Sequence, residues 1–338
     1  MPAHALRDLR VRSMAPDDLP AAAAVLAQRQ GRLRASRAEL PAAFTRVEAC
    51  LPVLRAVLDH PGAHGVVLAD GDRTVGYLAG WPRPEEIWGR AAWSPMEGCA
   101  LADDVPAEGV RDLYAAWSEH FVRQGYFRQY VHAAVDDPEL MAAWVRTGFG
   151  QMQAYALRDL TLEGKAPAGV TLRRAVPGDI EGMEPLIPLI AHQLMRPPAY
   201  AIRLPEELAS YRDSWAEELS EPEAHHWVAE QEDGRILAMA TFYATDPAPM
   251  VPDGAWELAV AMTLAEARGR GLMRALVAAG FAEARAAGAT CCETDWRTGS
   301  LATHRTWIAL GWRPTHYRMH RHVDERIAWA GPPPAEVS

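Results

Sequence analysis

The sequence predicts a mixed α/β (α+β) chain built as two tandem domains, each a mixed, mostly antiparallel twisted sheet flanked by helices. Three observations carry this: chain length, an internal repeat, and the order of strand-like and helix-like segments inside each copy. At 338 residues the chain holds about two domains of roughly 150 residues each. The segment Arg12-Ser-Met-Ala-Pro16-Asp-Asp18-Leu19 returns as Arg173-Arg-Ala-Val-Pro177-Gly-Asp179-Ile180, 161 residues on. Arg73, in a turn between two apolar segments, returns as Arg235 at an offset of 162. Trp144-Val-Arg-Thr-Gly148-Phe149 returns as Trp307-Ile-Ala-Leu-Gly311-Trp312 at an offset of 163. Three short matches at nearly one offset mark a duplicated unit.

Each copy reads in the same order. A strand (Leu9–Ser13; Val170–Arg174) precedes Pro-x-Asp, whose aspartate is placed to cap the helix that follows. Helices are predicted at Ala21–Gln30 and Ala38–Leu58, then at Met183–His192 and Pro205–Leu219. A hairpin comes next, Gly65–Ala69 with Thr74–Gly80 and Trp227–Glu230 with Ile236–Tyr243, each around an Asp-Gly turn. A further strand enters a long helix, Val110–Gln124 or Gly271–Ala287, followed by a strand (Phe127–Val135; Thr290–Asp295). A helix ending at Gly148 or Gly311 and a last strand or two close the copy. The Gly- and Pro-bearing stretch from Asp159 to Gly169 reads as a linker. The expected domains are therefore residues 1–160 and 171–328, with a linker at 161–170 and a disordered tail at 329–338, where Gly331 precedes three prolines.

Composition excludes several classes. Net charge is −10, from 34 basic and 44 acidic residues, the wrong sign for a general binder of phosphate backbones, so no nucleic-acid partner is expected. No apolar run approaches the ~18 residues that span a bilayer, and the N-terminus has no apolar signal core, so neither membrane nor secretion is expected. Lys165 is the one lysine among the basic residues, a sign of genomic composition bias. Cys50, Cys99, Cys291 and Cys292 form no CxxC pair and read as reduced, buried thiols of a cytoplasmic protein.

One turn carries chemistry. The strand from Glu257 through Ala261, Met262 and Thr263 runs into Arg268-Gly269-Arg270-Gly271-Leu272-Met273 and straight into an apolar-periodic helix. Glycines let the backbone approach a ligand in unusual dihedrals. The amides of a helix's first turn, at the positive end of its dipole, favour an anion. Two arginines suit phosphates. The turn reads as a pyrophosphate site, and it is neither a Walker loop nor a G-x-G-x-x-G dinucleotide turn.

On these residues the chain resembles the GCN5-related N-acetyltransferase (GNAT) family. The family's acetyl-CoA loop, Arg/Gln-x-x-Gly-x-Gly/Ala, is matched by Arg268 to Met273, and its later Asn-x-x-Ala-x-x-x-Tyr-x-x-x-Gly-Phe segment loosely by Ser300 to Trp312. With the repeated ends, the resemblance covers about 9–160 and 170–325 and is that of a tandem GNAT protein. It implies acetyl-CoA as acyl donor, held by Ala261, Met262, Thr263, the Arg268–Met273 turn, Ser300 and Trp307. It departs from the family where Met273 replaces a small residue, Ser300 an asparagine, and Trp307 the tyrosine that protonates the departing thiolate. An indole cannot be that acid, which leaves Tyr317, His304 or water.

Glu257 lies eleven residues before Arg268, the spacing of the general-base glutamate in the histone-acetylating branch of the family. A carboxylate there can take a proton from an ammonium before nitrogen attacks the thioester; the other reading is a charged residue opening an edge strand. Proximity to an already activated donor supplies part of the rate. In the first copy the corresponding stretch, Ala102 to Arg111, holds Asp103, Asp104, Pro106 and Glu108 and no Gly-x-Gly, so that half is expected to bind no acetyl-CoA. His316, Arg318, His320 and His322 share one side of a strand, read as basic and solvated or substrate-facing rather than as a metal site, and no metal is expected. Trp88, Trp93, Trp117 and Trp215 read as packing, with an aromatic substrate pocket as the other reading. The expected function is N-acetyl transfer from acetyl-CoA to a primary amine of a small molecule, by a monomer or homodimer. The alternative is a non-catalytic acyl-CoA-binding sensor.

Overall fold

The computed structural model describes residues 9–85 and 88–330. The first half runs β1 (Leu9–Ser13), α1 (Leu19–Ser36), α2 (Val47–Asp59), β2 (His64–Asp70), β3 (Arg73–Glu85), β4 (Gly89–Trp93), β5 (Cys99–Leu101), α3 (Gly109–Arg123), β6 (Arg128–Ala134), α4 (Pro138–Arg146) and β7 (Gly150–Arg158). The second runs β8 (Val170–Arg174), α5 (Ile180–Met183), α6 (Leu189–Met195), α7 (Pro205–Ala209), α8 (Tyr211–Glu218), β9 (His225–Gln231), β10 (Ile236–Ala244), β11 (Ala255–Thr263), α9 (Leu272–Ala286), β12 (Cys291–Arg297), α10 (Leu301–Ala309) and β13 (Arg313–His322).

The chain divides into two compact units, but not into two contiguous halves at the 161–170 linker. One unit is the chain up to Met152 together with the segment from His316 on; the other is Gln153–Thr315. The cause is strand pairing. In the first unit β1, β2 and β3 are successive antiparallel neighbours, β5 adds to β3, β4 bridges β3 to β6 in parallel, and β13 closes the sheet against β6. In the second, β8, β9, β10 and β11 are successive antiparallel neighbours, β11 is parallel to β12, and β7 closes the sheet against β12. The last strand of each repeat thus completes the sheet of the other unit. Each sheet is mostly antiparallel with one parallel pair, as the strand–helix–strand centre requires.

The central strands β2, β3 and β10 are buried over continuous runs of residues, on both faces, rather than at alternate positions. Val66, Leu68, Tyr77 and Leu78 of the first unit pack with Leu26, Leu54, Trp117 and Trp144 from its helices. In the second, Phe242 of β10 meets Phe281 of α9, which meets Trp312 at 5.7 Å.

The repeated motifs take repeated structures. Arg12 binds Asp18 through two hydrogen bonds of 2.6 Å, and Arg173 binds Asp179 through two of 2.7 and 2.8 Å. Each aspartate also accepts a backbone amide, from Ala15 or Val176. Neither caps the helix that follows it, contrary to the sequence expectation, because the arginine and that amide take the carboxylate. Arg73 binds Asp104, and Arg235 binds Glu266 at the same repeat position. Trp144 and Phe149 lie 5.2 Å apart, and Trp307 and Trp312 5.1 Å, each pair across a left-handed glycine, Gly148 or Gly311.

Prolines shift helix bounds from those expected. Pro41, in extended backbone, separates α1 from a short 3-10 turn, so no single helix covers 38–58. Pro185 and Pro188 lie between α5 and α6. The linker packs on α9: Arg274 and Arg285 donate to the carbonyls of Glu163 and Leu160. Gly164 approaches so closely that a Cβ would stand 2.6 Å from the Arg274 carbonyl oxygen. The tail expected to be disordered lies, from residue 331 on, outside the described residues. The four cysteines are free and buried; burial pushes Cys50 up to about 11 and Cys99 up to about 12. Of the strand read as basic and solvated or substrate-facing, His316 is 8% and Arg318 4% exposed, the Arg318 guanidinium lying 4.7 Å from the centre of the Trp88 ring, while His322 is exposed. Among the described residues no helix is long and apolar enough to cross a membrane, and no cluster of three or more His, Cys, Asp or Glu could hold a metal.

Candidate functional site

The second unit's sheet opens where the turn motif begins. On β11 the register to β10 slips between Leu258, opposite Phe242, and Val260, opposite Thr241, leaving Ala259 as a bulge. A bulge bends its strand and ends regular pairing on one side. The ladder from β11 to β12 stops at Leu258 and Thr294, whereas the ladder to β10 continues to Thr263. The Thr294 hydroxyl donates to the Leu258 carbonyl at 2.8 Å, closing the point where the parallel strands part. Beyond it the β11 edge from Ala259 to Thr263, including Ala261 and Met262, has no ladder partner on the β12 side.

That open edge leads to the Arg/Gly turn. Gly269 and Gly271 have φ of 76° and 81°, left-handed values that favour glycine. A Cβ at either would meet nothing within 4 Å, so the space in front of the turn is open. Gly271 caps α9 without a side-chain acceptor, and no acidic residue lies in the helix's first turn. Among the described residues the amides of 269–274 donate to no protein acceptor; the first amide to do so is that of Ala275, to the Gly271 carbonyl. Arg268 and Arg270 are exposed beside this row. Leu272 is buried and anchors the helix, while Met273 is half-buried. Six consecutive unused amides, a helix dipole and two guanidinium groups make a site for a phosphate-bearing ligand.

Glu257 lies on the sheet face away from α9. Its neighbour Trp256 packs against His225, which binds Glu283 of α9, and period two puts Glu257 on the other side. There it stands in register with Tyr243 of β10 and Glu293 of β12. The Tyr243 hydroxyl donates to the Glu218 carboxylate at the end of α8. Asp295 follows Glu293 by two residues on the same face. Among the described residues neither Glu257 nor Glu293 has a cationic side chain within ion-pair distance. Burial, then the charge of Asp295, raises Glu257 above the usual carboxylate range. Burial, then Glu257 and Asp295, pushes Glu293 up to about 8. Burial and Glu218 hold the Tyr243 phenol in its protonated form. Such a face can take a proton and suits a cation.

The remaining predicted residues are placed differently. Ser300 caps α10 but is 2% exposed, its hydroxyl 2.8 Å from that of Thr303. Trp307 is 5% exposed and packs edge-on against Trp312, as Trp144 packs against Phe149 in the other copy. Tyr317 belongs by strand pairing to the first unit, in register with Ala133 of β6 and partly buried against that unit's core, whereas Glu257 belongs to the second. His304 is in the second unit and accepts from the Trp296 indole at its Nδ1, which leaves the proton on Nε2. Sequence reasoning missed Glu293, Asp295, Tyr243 and Glu218. The alternation of Glu293 and Asp295 was readable, but their register with Glu257 was not.

Residues 190–311 match the acetyltransferase (GNAT) family. The chain is similar in structure to a GCN5-related N-acetyltransferase from Sphaerobacter thermophilus, with 17% identity, a TM-score of 0.60, and coverage of 95% of this chain and 99% of that one. It is also similar to a tandem GNAT protein from the clavulanic acid biosynthesis pathway, with 16% identity, a TM-score of 0.52, and coverage of 96% and 100%. At these identities the likeness is one of fold, and it extends over both units. No curated protein matches the sequence.

Proposed function

We propose that the second unit, whose residues 190–311 match the GNAT family, transfers an acetyl group from acetyl-CoA to a primary amine of a small molecule in the cytoplasm. The family and fold support acyl transfer in general. The observation that carries the donor assignment is the row of unused amides at 269–274, flanked by Arg268 and Arg270. These residues fit a pyrophosphate, and the unpaired β11 edge at Ala261–Thr263 offers backbone groups to the arm that carries the thioester.

Glu257 takes the ammonium proton, directly or through water, and the freed nitrogen lone pair attacks the thioester carbonyl. The C–N bond forms, the C–S bond breaks, and the surplus proton on the acylated nitrogen passes to the departing thiolate through Tyr317, His304 or water, while the proton held by Glu257 is released to solvent. Carboxylates around Glu257 favour a cationic acceptor. Acetyl-CoA titrated into the full chain should bind once per chain. A panel of amines should then release free CoA thiol, with acetylated amine seen by mass spectrometry. Binding with no turnover on any amine would replace this reading by that of an acyl-CoA-binding protein, and no binding would end both.

A further inference from the structure

Glu257 is one of three carboxyls in a row. Across the parallel ladder it stands in register with Glu293, and neighbouring strands lie about 4.8 Å apart. Along β12, Asp295 projects from the same face two residues later. Glu293 is therefore the middle member, with a carboxyl on either side. Among the described residues, register places Tyr243 of β10 beside Glu257 and Tyr155 of β7 opposite Asp295, and Glu218 of α8, with Glu221 just beyond it, accepts from the Tyr243 hydroxyl. Arg297, next on the same face of β12, lies beyond Asp295 rather than beside Glu293.

Carboxylates that share a site cannot all ionise, and the one flanked on both sides gives way first. We propose that Glu293 is a positioning residue for the base: as the middle carboxyl it keeps its proton at neutral pH, so that Glu257 beside it is the carboxylate left to accept one. Burial and both neighbours push Glu293 up to about 8, in the same direction as the geometry. The role rests on the acyl-transfer reading, whereas the protonation of Glu293 can be tested without it.

The full chain, carrying glutamate labelled with carbon-13 at the carboxyl, is titrated by NMR without acetyl-CoA. One glutamate carboxyl should titrate near pH 8. In Glu293→Gln that signal should vanish, and in Glu257→Gln its midpoint should fall by about 1–3 pH units, the effect of removing one close like charge. Stability gives a second reading. A carboxyl whose folded affinity for protons is raised costs stability as pH climbs from its unfolded to its folded midpoint. Glu293→Gln should match the wild-type Tm at pH 4 and exceed it at pH 9. In acetyl transfer Glu293→Gln should erase the wild-type change in the pH profile near pH 8. A wild-type chain with every glutamate titrating below about pH 6 would overturn the proposal, even if neither variant folds. So would a pH 8 signal that survives Glu293→Gln. Absence of transfer with a signal near pH 8 sinks the enzyme and leaves Glu293 protonated; an active enzyme without that signal does the reverse.

Discussion

The two copies of the strand-to-helix turn share a scaffold and differ in where their anions come from. Both keep the hairpin arginine bound to a turn carboxylate, Arg73 to Asp104 and Arg235 to Glu266. In the first unit the amides of Gly109, Val110 and Arg111 donate to the carbonyls of Pro106, Ala107 and Glu108. Asp103 binds Arg32, and Glu108 binds Arg111 and Arg146. The turn satisfies its own polar groups. In the second unit the six amides are left over among the described residues, and Arg268 and Arg270 are exposed, Arg268 donating from Nε to the Thr263 carbonyl. The two turns thus differ in whether the donors at the helix start are used within the protein.

Exchanging charge is the strongest way to break this comparison. Arg268→Asp with Arg270→Glu gives the second turn the character of the first. With about 1.5–3 kcal/mol for each charged hydrogen bond lost, acetyl-CoA affinity by calorimetry should fall by roughly 10²–10⁴-fold; a change within threefold would place the phosphates elsewhere. Glu257→Gln sharpens it by separating binding from chemistry. Turnover should drop by about 10²–10⁴-fold with acetyl-CoA affinity nearly unchanged, and part of the rate should return at high pH, where the amine arrives neutral. Normal turnover at pH 7 would assign the proton to another base.

Gly271→Val asks less of the site. A β-branched residue at φ 81° carries strain of about 1–3 kcal/mol. Affinity should fall by between about fivefold and about 150-fold while the melting curve shows an intact fold; unchanged affinity would show that the left-handed turn is not needed for binding. The smallest effect belongs to the first unit. Asp103→Ala with Asp104→Ala removes two exposed ion pairs, worth about 0–1 kcal/mol each, and should leave one acetyl-CoA per chain. A second site appearing in that variant would mean that carboxylates alone had closed the first turn.

What the sequence revealed was local. Arg268, Gly269, Arg270 and Gly271 form a site within one turn, so spacing sufficed. The repeat was legible because Arg12 and Asp18, or Trp144 and Phe149, interact within a few residues of each other. Long-range pairing was not legible. β7 and β13 read as final strands of their own copies, and only register shows β7 on β12 and β13 on β6. Tyr317, which reads as part of the second copy, pairs into the first unit's sheet for that reason. Asp18 and Asp179 look like helix caps in sequence, but a two-pronged guanidinium outcompetes a single helix amide for a carboxylate. The carboxyl row escaped notice because Glu257 and Glu293 are neighbours only across the ladder.

The exchange of final strands also orders events on the ribosome. The second unit, Gln153–Thr315, is continuous in sequence, so all of its strands have been made before the first unit's last strand is translated. The first unit begins earlier and finishes later, its β6 edge open until β13 has been made after the whole second unit. An open edge is a template for pairing with another chain. A nascent chain stalled or cut before His316 would carry a finished second unit and a first unit that invites aggregation, so β13 acts as a seal on a sheet begun before the second unit.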